Sequence, residues 1–93
     1  MREKDIEAKL RDRTSELGGW ALKFTSPGVC GVPDRLVLLP DGKMGFVELK
    51  APGEKLRPIQ EMWSRHLKGL GFKVFCIDGV DQIEEVLNEI RTA

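Results

Sequence analysis

Gly31-Val32-Pro33-Asp34-Arg35-Leu36-Val37-Leu38-Leu39-Pro40-Asp41-Gly42-Lys43-Met44-Gly45-Phe46-Val47-Glu48-Leu49-Lys50 is the stretch whose reading decides the fold. Its two apolar segments, Asp34 to Leu39 and Lys43 to Ala51, have the composition of strands, and Pro40-Asp41-Gly42 between them has the chemistry of a hairpin turn. Alternation sets Leu36, Leu38, Met44 and Phe46 on one face and Val37, Leu39, Val47 and Leu49 on the other. A sheet apolar on both faces has to be covered on both. The expected architecture is therefore an α/β sandwich with a mixed sheet flanked by helices.

The flanking sequence supplies the covers. Ile6, Leu10 and Leu17 keep helical spacing from Lys4 to Leu17, and Gly18-Gly19 then stops the pattern. Trp20 to Phe24 suits a first strand, followed by a loop from Thr25 to Pro33. Pro58 opens a second helix, where Ile59, Met62, Trp63, His66, Leu67 and Leu70 recur as a buried stripe until Gly69 and Gly71 end it. Phe72 to Ile77 reads as a fourth strand. Ile83, Val86, Leu87 and Ile90 mark a third helix, capped near Asp78 or Asp81. The order is helix, three strands, helix, strand, helix, with the second helix as the crossover between neighbouring strands.

At 93 residues the chain has room for one core, so residues 1–93 are read as a single domain. Hydrophobic residues make up 41% and charged residues 32%, the balance of a folded globular chain. No apolar run approaches the roughly 20 residues of a membrane span. The charged N-terminal sequence has no secretory leader pattern, and the expectation is an intracellular protein with no membrane partner. Cys30 and Cys76 belong to no Cys-x-x-Cys pair and read as reduced structural thiols. Fifteen basic and fifteen acidic residues cancel, so any contact with nucleic acid has to come from local clusters.

Three ionisable side chains interrupt the apolar hairpin: Asp34 at the start of one strand, Glu48 and Lys50 alternating along the other. Their relation depends on the turn. A type I turn with Gly42 in the left-handed position makes a three-residue loop, pairs Leu39 with Lys43 and sets Asp34 opposite Glu48. A two-residue Asp41-Gly42 loop would send Asp34 to the other face. In the first register the Cβ atoms of the two acids are about 4.5 to 5.5 Å apart, close enough to share a divalent cation, with Lys50 roughly 7 Å along the same face. Oxygen donors with room for water suit Mg²⁺ or Mn²⁺.

The same residues carry a resemblance. Gly31-Val32-Pro33-Asp34-Arg35 followed by Glu48-Leu49-Lys50 is similar to the PD-(D/E)xK nuclease signature. With Lys23-Phe24-Thr25-Ser26-Pro27-Gly28 before it, and Pro52-Gly53-Glu54-Lys55 and Pro58-Ile59-Gln60 after it, nearly the whole chain resembles the VRR-NUC (virus-type replication and repair nuclease) domain in its compact stand-alone form. The resemblance implies a restriction-endonuclease-like helix-strand-strand-strand-helix-strand core. It implies a metal held by Asp34, Glu48 and the main-chain carbonyl of Leu49, with Lys50 assisting the water and Gln60 beside the site. An acid on the first helix lies near the metal in this family; Glu7 is the first choice here, directly or through water, and Glu3 its rival. Lys23, Arg35, Lys55, Arg57, Arg65 and Lys68 are the candidates for holding the phosphate backbone, with Arg35 and Lys55, which flank the motif, favoured. The implied function is a Mg²⁺- or Mn²⁺-dependent endonuclease on DNA, expected to act on branched DNA such as four-way junctions as a homodimer.

Overall fold

The computed structural model describes residues 1–92. Helix α1 (Glu3–Glu16) leads into strands β1 (Trp20–Lys23), β2 (Arg35–Leu39) and β3 (Lys43–Leu49), then helix α2 (Pro58–Gly69), strand β4 (Val74–Ile77) and helix α3 (Ile83–Arg91). The sheet runs β1-β2-β3-β4, antiparallel across the first two pairs and parallel between β3 and β4. This is the expected mixed sheet, with α2 as the crossover into the parallel strand.

The main core lies on one face only. Val37, Leu39, Val47 and Leu49 pack against Ile6 and Leu10 of α1 and Ile83, Val86, Leu87 and Ile90 of α3. Thr14, one turn beyond Leu10 on the same buried face, is buried too, and its hydroxyl donates to the Leu10 carbonyl at 2.7 Å. The end of α1 is closed by the N–H groups of Gly18 and Gly19, which donate to the carbonyls of Ser15 and Thr14.

The second face is covered less completely. Phe46 is buried between Phe24 and Phe72, with ring centroids 5.5 and 5.8 Å away. Helix α2 lies over the β4 end of this face, and none of its residues is fully buried. The apolar stripe expected to be buried is thus half-buried, and Leu70 is 74% exposed. Periodicity shows which side of a helix is apolar but not how much protein lies opposite it.

Two local details also differ from expectation. At the hairpin Asp41 joins Gly42 in the left-handed region, with φ of 68° and 73°, so the loop keeps three residues by a different turn. Aspartate tolerates that conformation better than most residues. At the start of α3 neither Asp78 nor Asp81 provides the cap: the Gln82 side-chain oxygen accepts the N–H groups of Asp78 and Gly79 at 2.7 and 3.1 Å.

Gly31 fixes the loop before the site. Its φ is +92°, and a Cβ there would stand 2.7 Å from Cγ1 of Ile59 and 3.0 Å from the Ile59 carbonyl oxygen. Gly31→Ala therefore combines backbone strain with a clash against α2, and a loss of about 1 to 3 kcal/mol is expected. Urea denaturation measures it, and a variant as stable as wild type would mean that the loop shifts freely.

Candidate active site

The ladder from Leu39–Lys43 to Arg35–Val47, extended by one residue, sets Asp34 across from Glu48. Here the backbone ladder gives way to side chains. The Asp34 carbonyl still accepts the N–H of Phe24 at 2.7 Å, which keeps the residue in line with β1. Its carboxylate oxygen Oδ2 accepts the N–H of Leu49 at 3.1 Å. Asp34 is therefore held by main-chain atoms on both sides.

Glu48 and Lys50 lie two residues apart and share a face, and both are buried. Oε2 of Glu48 accepts Nε2 of Gln60 at 2.8 Å and lies 3.8 Å from Nζ of Lys50. The other end of the Gln60 amide is also occupied: its Oε1 accepts the N–H of Arg57 at 2.8 Å, closing the first turn of α2. One side chain thus caps a helix and orients a buried carboxylate. Oε1 of Glu48 is buried with no hydrogen-bond partner.

Burial first, then repulsion from Asp34, pushes the Glu48 carboxyl up to about 7, with Lys50 offsetting part of the rise. A cation drawn to both acids would relieve that repulsion, and the unpartnered oxygen is a vacant donor for it. Among the described residues no group of three or more His, Cys, Asp or Glu side chains is clustered for metal binding. The donors present are carboxylate oxygens beside main-chain atoms, which fit a hard cation that keeps part of its water and not a closed zinc site.

No family model matches the chain. Its sequence is 51% identical over 81 residues to "Putative nuclease p44" of Acyrthosiphon pisum secondary endosymbiont phage 1, covering 87% of each chain. A solved structure described as "VRR_NUC domain" superposes with a TM-score of 0.86 at 30% identity, covering 92% of this chain and 94% of that one. The chain belongs to the VRR-NUC family.

In this VRR-NUC domain the two acids of helix α1 have different surroundings. Oε1 of Glu7 accepts Nη2 of Arg35 at 2.9 Å. Glu3, one turn earlier, has its carboxyl raised by burial and then by the negative charge of Asp34 and Glu54, with Lys50 acting the other way. Glu3 therefore stands in the field of Asp34 and Lys50, whereas Glu7 is engaged with Arg35.

Arg35 itself is buried, and its Nη1 donates to the Ala21 carbonyl at 3.1 Å. Strand alternation explains this: Arg35 is next to Asp34 and so points to the opposite face, under α1. Lys23, Lys55 and Arg57 are exposed. A further neighbour escapes sequence reasoning. Cys76 pairs with Glu48 in the β3–β4 register, and burial and then Glu48 push its thiol up. Only the parallel crossover brings it there, and no local pattern signals it.

Proposed function

We propose that this VRR-NUC domain is a Mg²⁺- or Mn²⁺-dependent endonuclease that hydrolyses DNA phosphodiester bonds, acting on branched DNA such as four-way junctions as a symmetric homodimer. The observation that carries this reading is the Asp34–Glu48 pair, drawn together on one sheet face with a buried carboxylate oxygen left without a partner. Asp34, Glu48 and the main-chain carbonyl of Leu49 would hold the ion. Of the two helix-one acids, Glu3 stands in the field of Asp34 and would assist them, while Glu7 is paired with Arg35.

When bound, the ion supplies Lewis-acid polarisation of the phosphodiester and acidifies a water. Lys50 keeps its ammonium beside Glu48, where it orients the attacking water and offsets negative charge developing on the phosphate. Gln60 holds Glu48 in place. Lys23, Lys55 and Arg57 are exposed cations that would meet the backbone of the strand.

Support for pairing comes from the thinly covered sheet face. Trp20 is 68% exposed, Leu22 and Phe72 are also exposed, and Trp20 and Leu22 align through β2 with Met44 and Phe46 of the Glu48-bearing face. A second copy seated there would remove a large apolar patch from water and bring two sites to one assembly. The phage relative fits a role inside a bacterial or phage-infected cell. No described helix is long and apolar enough to cross a membrane.

The test compares a labelled four-way junction, a flap and a linear duplex with Mn²⁺. Preferential, paired cuts in the junction by a species of twice the chain mass are expected. Equal cutting of all three would indicate a non-specific nuclease, flap cutting alone a flap-directed one, and binding without cutting a non-catalytic module. A strictly monomeric mass at micromolar concentration would count against symmetric cleavage.

A further inference from the structure

We propose that the cleft between α2 and β4 is a phosphate subsite, which takes a phosphodiester of the bound strand next to the one being cut and contacts it through Lys68 and Ser64. The proposal rests on the nuclease reading for its substrate, and on separate residues for its chemistry.

The cleft has a volume of about 70 Å³, and Glu48, Gln60, Ser64 and Lys68 line it together with apolar residues such as Val74 and Phe75. Gln60, Ser64 and Lys68 follow one another at four-residue intervals, so they form a row on one side of α2 with steps of about 6 Å along the helix. That step is of the order of the distance between successive phosphates in an extended strand. The row begins at the active site, because Gln60 is bonded to Glu48 at 2.8 Å. It ends at an ammonium group.

Among the described residues nothing uses the two groups at the outer end of the row. Among the described residues no acid is paired with Lys68 and the Ser64 hydroxyl has no hydrogen bond. Among the described residues Glu48 is the only acid lining the cleft. An unpaired cation and a free hydroxyl one turn apart, in a recess of this size, suit an oxyanion held by one charged and one neutral donor. A strand whose cleaved phosphate lies at Glu48 would extend its neighbour along this row.

Lysine in the last turn of a helix also complements the helix dipole, so stability and DNA binding have to be read separately. The experiment uses the full chain and a fluorescent DNA strand, with affinity measured by anisotropy without divalent metal across a range of salt. Strands carrying one neutral methylphosphonate at successive positions report individual phosphate contacts. Lys68→Ala should weaken binding about fivefold and lower the slope of log affinity against log salt by about one. One methylphosphonate position should weaken wild type similarly and have no further effect on Lys68→Ala. Ser64→Ala should act at the same position with a smaller loss. Lys9→Ala, an exposed charge on α1, should leave the methylphosphonate profile unchanged.

Wild-type affinity and slope in Lys68→Ala would overturn the subsite, as would an equal loss at every methylphosphonate position. Because binding is read without cleavage, a wild type that binds with this profile but never cuts removes the nuclease reading and leaves the subsite. One that cuts but is indifferent to Lys68→Ala removes the subsite alone.

Discussion

Asp34→Asn is expected to reduce Mn²⁺-dependent cleavage by at least about a thousandfold while leaving the fold intact. The amide oxygen of asparagine can still accept the Leu49 N–H that Asp34 now receives at 3.1 Å, so the end of the hairpin keeps its closure. What disappears is the negative charge that, together with Glu48, would hold the cation. A second consequence can be measured on the neighbour. Asp34 is the leading electrostatic cause of the rise at Glu48, so Glu48 in the variant should titrate below the value of about 7 that it has in wild type. Single-turnover cleavage with enzyme in excess, and carboxyl titration by NMR, read the two effects. Cleavage within tenfold of wild type would remove Asp34 from the catalytic centre.

Glu48→Gln should stabilise the metal-free protein at alkaline pH. Glu48 is raised from 4.5 to about 7, so the folded state holds this proton more tightly than the unfolded state does. Below pH 4.5 both states are protonated, and the group imposes no penalty. As pH rises from 4.5 through 7 the unfolded chain releases the proton first, and stability is lost. Above 7 the loss is complete, at about 3 kcal/mol for a shift of this size. Glutamine cannot ionise and avoids it.

In EDTA, urea denaturation should therefore find Glu48→Gln more stable than wild type at pH 8 by up to about 3 kcal/mol, with the two converging near pH 4. Adding Mg²⁺ or Mn²⁺ should stabilise wild type and have little effect on the variant, because a ligand stabilises only the state that binds it. Calorimetry should show cation binding that is lost in the variant. A Glu48→Gln protein less stable than wild type at pH 8 without metal would mean that the carboxylate is already compensated within the protein.

Helices and strands were legible where one residue's environment repeats at a fixed interval. Ile6 and Leu10 of α1, and Ile83, Val86, Leu87 and Ile90 of α3, are buried as their spacing requires. The Pro40-Asp41-Gly42 turn was legible in place but not in length, because Asp41-Gly42 suits a two-residue loop as well as the three-residue one that forms, and its dihedral angles were not legible either. Helix α2 shows the limit. Its apolar stripe is real, but the sheet beneath it reaches only part of its length, so Leu70 and His66 are exposed.

The linear sequence determined the two strands and narrowed the hairpin to two registers, because strand alternation and loop length are short-range geometry; the structure selects the three-residue loop, which pairs Leu39 with Lys43 and so opposes Asp34 to Glu48. Tertiary structure alone decided which long-range partner each charge received. Arg35 went to Glu7, Glu3 came into the field of Asp34, and Cys76 and Lys68 came to line the cleft beside Glu48. These relations depend on how α1 crosses the sheet and on a parallel strand reached through a helix. Such placements are set by packing between distant segments, and no periodicity within either segment encodes them.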